Sequence, residues 1–266
     1  LEAVKLFLEV APSLNERDYL LTIFRELTRF PATKELFDSR HNPIWLLAPS
    51  AEGAKALVQL FQHPRADLPA FRFGQRDTAF LGWLYQQLDE GVRKRYALWQ
   101  TADFVVSFIL DRTLDVALER FGIDDTSLID PTCGSGHFLL EAFERLFTQR
   151  LRTSPGLTER DAATKALNAV FGADINPYAV AIARCRLTLA FIDRARLTRL
   201  SEAPALPLHV VVADSLLYNP YVRQPSLTNA AQSSAGWHGE EFALEDEAAA
   251  RAVLFRTFSV VVGNPH

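Results

Sequence analysis

The sequence predicts an α/β fold: a parallel sheet with crossover helices, preceded by an all-helical N-terminal region. Three observations predict it. Four short apolar runs each deliver a carboxylate or an asparagine, residues 127–129 before Asp130, 170–173 before Asp174, 208–212 before Asp214, and 258–263 before Asn264. Helix-period segments separate the early runs, as connections between parallel strands require. The first hundred residues hold only helix-period patterns, around residues 19–30, 54–61 and 77–99, with breaks at Phe30-Pro31 and His63-Pro64. The expected organisation is a helical region over residues 1–95 and a sheet-bearing domain over 96–266.

The first run opens the densest stretch of chemistry, Asp130-Pro131-Thr132-Cys133-Gly134-Ser135-Gly136-His137-Phe138. It reads as a strand end, a tight loop and a helix start. Gly134 and Gly136 permit a turn and a close approach to the main chain that a side chain would block. Phe138, Leu139, Ala142, Phe143, Leu146, Phe147 and Leu151 then recur at helical spacing. The first amides of that helix face the crevice and suit a small carboxylate or phosphate. A dinucleotide fingerprint would need glycine three positions after Gly136, where Leu139 stands, and the P-loop pattern is absent.

The second run ends in Asp174, followed by Ile175-Asn176-Pro177, with proline placed for a first helical turn. An acid there can accept both hydroxyls of a ribose. It lies 44 positions after Asp130, against about 20 in a dinucleotide fold, so a second helix near residues 159–168 is expected between them. The third run ends in Asp214-Ser215-Leu216, whose carboxylate can accept from an adenine amino group. The fourth delivers Asn264-Pro265-His266. Two other Asn-Pro-aromatic strings, at Asn176 and Asn219, read as a helix cap and a turn. Thr101 opens a further helix expected to run to about Leu118. Residues 217–248 form a polar tract at the rim of the crevice that reads as disorder, with a lid or partner contact as the alternative.

With 266 residues, 48% hydrophobic and 23% charged, the chain has material for a sizeable core. No apolar run is long enough to span a membrane and no signal-peptide pattern opens the chain, so a cytoplasmic protein with no membrane partner is expected. The two cysteines, Cys133 and Cys185, lack metal-ligand spacing, and neither a metal site nor a disulfide is expected. A net charge of -4 is not that of a self-sufficient DNA-binding domain. Arg184, Arg186, Arg194, Arg196 and Arg199 read as a solvated helix face. The chain contains no methionine, even at position 1, which fits a fragment.

The string from Asp130 to Phe138 resembles motif I of the S-adenosylmethionine-dependent, adenine-specific DNA methyltransferases. Asn264-Pro265 resembles the start of their Asn-Pro-Pro-aromatic motif, although His266 replaces the second proline and the aromatic position lies beyond the chain. Thr101 resembles the Thr-Pro opening of motif X, with Ala102 in place of proline. Residues 80–85, 96–98 with 100–101, and 108–114 most resemble the PglX methyltransferases of BREX phage-defence systems.

The resemblance implies a Rossmann-like S-adenosylmethionine methyltransferase sheet, truncated after the fourth strand. It further implies methyl transfer to N6 of adenine in double-stranded DNA by base flipping, in restriction-modification or BREX-type defence. Asn264 and Pro265 would be catalytic, accepting the two protons of the target amine through the side-chain oxygen and the proline carbonyl. Thr101, Asp130, Pro131, Cys133, Gly134, Gly136, Phe138, Asp174, Ile175, Asp214, Ser215 and Leu216 would hold the cofactor, S-adenosylmethionine. DNA would be engaged through a recognition domain absent from this chain, and other defence-system proteins are possible partners. Two alternatives stand: a cofactor-binding but catalytically inactive module of a defence complex, and a methyltransferase acting on protein glutamine or an RNA base amine.

Overall fold

Four parallel strands in the order β3-β2-β1-β4 organise the larger of two units into which the chain divides. A computed structural model of the chain describes residues 2–39, 42–45, 48–62, 101–216 and 247–264. One unit comprises Leu1–Asp77 with Ala203–Ala205, the other Thr78–Glu202 with Leu206–His266. The boundary expected at residue 95 and the helix expected over residues 77–99 lie outside the described residues.

The first unit is helical, as its periodicity predicts: α1 (Glu2–Val10), α2 (Glu16–Leu27), α3 (Lys34–Phe37) and α4 (Ala51–Gln62). Asn15 starts α2 through a reciprocal capping box, its Oδ1 accepting from the Arg17 and Asp18 amides while Asp18 accepts from its own. Phe24 packs on Phe37 at 5.0 Å between ring centroids. The Trp45 indole donates to the Phe37 carbonyl, and Ala32, Leu36, Ala54 and Val58 are buried.

The second unit opens with α5 (Asp103–Arg112) and α6 (Leu114–Phe121). One continuous helix from Thr101 to about Leu118 was the expectation. It breaks at Thr113, whose backbone leaves the helical region (φ -124, ψ -68) while its hydroxyl donates back to the Ile109 carbonyl. This competition from a threonine side chain is characteristic of helix ends. Then follow β1 (Leu128–Asp130), α7 (His137–Thr153), α8 (Glu159–Leu167), β2 (Val170–Asp174), α9 (Pro177–Arg194), β3 (His209–Val212), α10 (Glu247–Leu254) and β4 (Val260–Val261). The inserted helix expected near residues 159–168 is α8, with Thr158 accepting from the Asp161 amide at its start.

Strand alternation splits the sheet into two buried faces. Ile129, Phe171, Ala173 and Val211 pack with Ala250 and Val253 of α10. Leu128, Val170 and Val210 are equally buried and alternate onto the opposite side, where α7 and α9 pack on the strands. Helices therefore cover both faces, as parallel sheets require. Gly172 shows how close the packing is: a Cβ there would lie 2.7 Å from Leu139 Cδ1 and 3.1 Å from Cys133 Sγ.

The fourth strand is shorter than its apolar run suggests. Only Val260 and Val261 pair with β1, opposite Leu128 and Ile129, because Phe258 turns into the core against Phe171 at 5.0 Å. A larger correction concerns the arginines of α9. Arg184 and Arg186 are buried, at 6% and 4% exposure, so these two do not belong to a solvated face, whereas Arg196 and Arg199 are exposed as expected. Arg184 Nε donates to the Val210 carbonyl and Arg186 Nη1 to the Ser135 carbonyl, each at 2.7 Å. Arg194 pairs with Glu144 and Arg196 with Glu159. Asn219 and the tract 217–246 lie outside the described residues.

Candidate functional site

The chain runs from β1 outward to β2 and β3, then returns to place β4 on the other side of β1. Outside the carboxyl ends of the strands at such a reversal lies the usual ligand crevice of an open parallel sheet. Asp130, Asp174, Asp214 and Asn264 all sit at those ends, so one edge of the sheet gathers the four predicted stations.

The glycine loop is built from the backbone upward. Gly134 and Gly136 adopt φ +52 and +86, a region that favours glycine. The Gly136 amide donates to the Cys133 carbonyl and the Ser135 carbonyl accepts from Arg186, so the peptide between Ser135 and Gly136 is held at both ends. Gly136 hands over directly to α7, whose first amides have no intrahelical acceptor by geometry. Pro131 is half-buried. The Cys133 and Phe138 side chains are turned into the core, at 5% and 2% exposure, so these positions can meet a ligand only through their main chain. Nothing would meet a Cβ at Gly134 within 4 Å; the loop there borders open space.

Two carboxylates converge on this loop. Asp174 Oδ2 accepts from the Gly134 amide at 2.8 Å and Oδ1 from the Asn176 amide at 2.8 Å. A carboxylate has about four acceptor positions, so capacity for ligand hydroxyls remains. Asp130 Oδ1 accepts from the Thr132 amide at 3.0 Å and its hydroxyl at 3.4 Å. Burial, with the charge of Asp174 adding to it, pushes the Asp130 carboxyl up to about 7. Burial raises Asp174 as well. A positive charge on a ligand beside these two acids would favour their ionised forms. His137, at the start of α7, is lowered to about 4 by burial and by the nearby Arg186 charge, so the imidazole adds no competing positive charge at neutral pH.

Ile175 projects beside Asp174 with 42% of its surface exposed, as an apolar platform would. Asp214 closes an Asx turn by accepting from the Leu216 amide at 3.0 Å; Ser215 is half-buried and Leu216 is 90% exposed. Asn176 is the helix cap expected of it, accepting from the Tyr178 and Ala179 amides with Pro177 in the first turn.

Asn264 reaches the crevice because of the glycine before it. A Cβ on Gly263 would lie 2.9 Å from Thr132 Oγ1 and 3.1 Å from Asp130 Oδ1. Only a bare main chain lets the end of β4 lie against the Asp130 turn. Asn264 Nδ2 donates to Thr101 Oγ1 at 3.2 Å, which joins the segment leading into α5 to the segment that follows β4. Pro265 and His266 lie outside the described residues.

Arg184 and Arg186 are the structural supports that sequence reading missed. Their signal was present: between Tyr178 and Ile192 only Arg184, Cys185, Arg186 and Thr188 interrupt Ala, Val, Ile, Leu and Phe. A helix apolar on nearly every side is a buried helix. A separate cleft of about 680 Å³, lined by Asp111, Asp115, Glu119, Glu141 and Glu144 with Arg145 and Arg152, lies between α5, α6 and α7. Among the described residues no cluster of His, Cys, Asp and Glu could hold a metal ion, and no helix is long and apolar enough to cross a membrane.

Residues 111–216 match the family model described as MmeI, DNA-methyltransferase domain. Over 97% of its length the chain is 39% identical to "Adenine-specific methyltransferase PglX" of Streptomyces coelicolor, of which it spans 23%. A stretch of 89 residues, 32% of this chain, is 35% identical to a putative type II restriction enzyme and methyltransferase of Methanocaldococcus jannaschii and covers 8% of it. The solved structure titled ATP-dependent Type ISP restriction-modification enzyme LlaBIII bound to DNA aligns with 94% of this chain and 17% of its own, with a TM-score of 0.53 at 16% identity. That likeness shows a shared fold. The resemblance read in the sequence is borne out as a likeness: the chain is similar to the adenine-specific methyltransferase PglX over nearly its whole length, and residues 111–216 to a DNA-methyltransferase domain.

Proposed function

We propose that this relative of PglX carries the catalytic region of an adenine-specific DNA methyltransferase. In this reading a Rossmann-like sheet binds S-adenosylmethionine and serves transfer to N6 of adenine in double-stranded DNA, after the base is flipped from the duplex. The setting is restriction-modification or BREX-type phage defence in the cytoplasm, with DNA held through parts of the protein beyond these residues.

The observation that carries the reading is the approach of Gly263 to Asp130 and Thr132. It puts the Asn264 strand end against the same loop that Asp174 ties down through Gly134. A pair of acids, a glycine loop and a hydrogen-bonding amide therefore border one crevice. These features fit a ligand bearing an ammonium, a sulfonium and ribose hydroxyls.

When bound, S-adenosylmethionine supplies a methyl carbon whose bond to sulfur breaks, with the electron pair leaving on sulfur, as the N6 lone pair forms the new C–N bond. This chain's residues hold and orient. Asp174 would take the ribose hydroxyls through its remaining acceptor positions, and Ile175 would pack against the adenine ring of the cofactor. Asp214, in the turn with Ser215 and Leu216, would accept from that ring's amino group. Asp130, with Pro131, Gly134 and Gly136 and the main chain of Cys133 and Phe138, would surround the methionine end. Asn264 Oδ1 and the Pro265 carbonyl would accept the two N6 protons of the target. Two acceptors pull an amine toward a pyramidal shape with an available lone pair, and the surplus proton then passes to solvent.

Calorimetric titration of the full-length protein with S-adenosylmethionine, beside Asp174→Ala, tests the pocket. The expected result is one site per chain, weakened at least about tenfold by the substitution, the loss of a charge-assisted hydrogen bond. A folded wild-type protein that fails to bind would overturn the reading.

A further inference from the structure

Building on Asn264 as the acceptor for the target amine, we propose that Thr101 is a positioning residue that holds the Asn264 carboxamide with its oxygen toward that amine. The resemblance to motif X assigns Thr101 to the cofactor; the geometry points to the asparagine.

Thr101 stands where a helix-capping residue is expected, yet it does not cap. The N-cap of α5 is Ala102, whose carbonyl accepts from the Val105 and Val106 amides, and no side-chain cap bond is made there. The hydroxyl's partner is instead Asn264 Nδ2, at 3.2 Å, from a residue 163 positions away. Helix α5 therefore starts without help from Thr101, and the contact bridges segments far apart in this unit's chain.

The chemistry of the amide gives that contact a consequence. A carboxamide is planar, with an acceptor at one end and a donor at the other, and the two ends have nearly the same shape. Turned one way, Asn264 offers an oxygen to the target amine. Turned the other way, it offers N–H groups to an amine that is itself a donor. A short side chain at the mouth of a crevice does not hold its plane unaided. Gly263 fixes the main chain by lying against Asp130 and Thr132, and the Thr101 hydroxyl meets the side-chain amide itself. With Nδ2 directed onto Thr101 Oγ1, the plane is set and Oδ1 lies at the end away from Thr101. The hydroxyl alone could serve either end of an amide; with the target amine at the other end, only the orientation with Nδ2 on Thr101 satisfies both sides.

This role separates from cofactor binding in steady-state kinetics. A group that holds Asn264 acts on the chemical step with both substrates bound, so its loss lowers kcat. A group that holds S-adenosylmethionine shows first in the KM for that cofactor. The test uses the full-length protein, tritiated S-adenosylmethionine and bacterial genomic DNA free of adenine methylation, with Thr101→Val, Thr101→Ser, Thr101→Ala and Asn264→Ala. Thr101→Val keeps the shape and removes the acceptor, and is expected to lower kcat about tenfold, the rate equivalent of one hydrogen bond. The cofactor KM should stay within about twofold, and Thr101→Ser should restore kcat. Thr101→Ala, read by calorimetric cofactor binding, supplies the same comparison if the valine variant does not fold.

A raised cofactor KM with kcat unchanged would overturn the proposal and return Thr101 to the cofactor. Wild-type kcat in Thr101→Val or Thr101→Ala would overturn it too. Asn264→Ala reports separately: if it retains wild-type turnover, the reading of Asn264 itself has failed, whatever the threonine variants do.

Discussion

Asp130 sits in an environment far from that of a surface carboxylate. It is 1% exposed, with a carboxyl raised to about 7 by burial and by the neighbouring Asp174 charge. The folded state keeps the proton up to that pH, whereas the unfolded chain releases it near about 4. Stability at this site is therefore lost as pH rises from about 4 to 7 and stays lost above it, by on the order of a few kcal/mol. Asp130→Asn keeps an oxygen for the Thr132 amide and removes the ionisation. Its thermal unfolding should show a flatter pH profile over that window and a gain over wild type at pH 8. The same variant should bind S-adenosylmethionine more weakly than wild type, and the wild type's affinity should rise between pH 6 and 8 as Asp130 becomes available to a cationic ligand. Arg186 offers a second test at this scale. Arg186→Ala leaves the buried Ser135 carbonyl without this donor, at a cost of about 1–3 kcal/mol. A melting temperature lowered by several degrees, with weaker cofactor binding, is the expected result.

At the scale of elements, glycines decide how closely the end of β4 and the Asp130 turn approach. Gly263→Ala places a Cβ 2.9 Å from Thr132 Oγ1, so the end of β4 must move away from the Asp130 turn. Methyl transfer should fall at least about tenfold, the effect of a misplacement of an ångström or less on a reacting geometry. Gly172→Ala meets Leu139 Cδ1 at 2.7 Å and should destabilise by about 1–3 kcal/mol as core overpacking, read by denaturant unfolding. Asn176 and Asn264 make a paired comparison. Asn176→Ala removes a cap worth about 1 kcal/mol, visible in the melting temperature, while methyl transfer should suffer far more from Asn264→Ala. The strand ends and α8 were legible in the sequence because each apolar run stops at a polar residue and the gap from Asp130 to Asp174 needed filling. The break at Thr113 was not, since it depends on one hydroxyl competing for the Ile109 carbonyl. Nor was the shortness of β4, because Phe258 extends an apolar run by sequence but packs on Phe171 in the fold. The burial of Arg184 and Arg186 was obscured by reading charge before the apolar surroundings of the helix.

For the whole molecule, the order of the strands matters more than any one motif. Because β4 lies beside β1 and not beyond β3, the Asn264 segment meets the glycine loop across the point where the sheet reverses direction. Sequence order alone leaves Asn264 and Thr101 163 positions apart; the fold puts them in hydrogen-bond contact. The site was legible as separate stations, each with its chemistry, but the Thr101 to Asn264 contact was not, because it joins segments that share no local pattern. The chain spans 23% of PglX and carries a net charge of -4; its proposed role is that of the catalytic region of a DNA methyltransferase. The central claim is tested most directly by incubating the full-length protein with unmethylated genomic DNA and S-adenosylmethionine and analysing the digested nucleosides by mass spectrometry. The account predicts N6-methyladenine with the wild type and none above background with Asn264→Ala. Methylated cytosine as the sole product, or label found in protein or RNA while DNA stays unmodified, would contradict it.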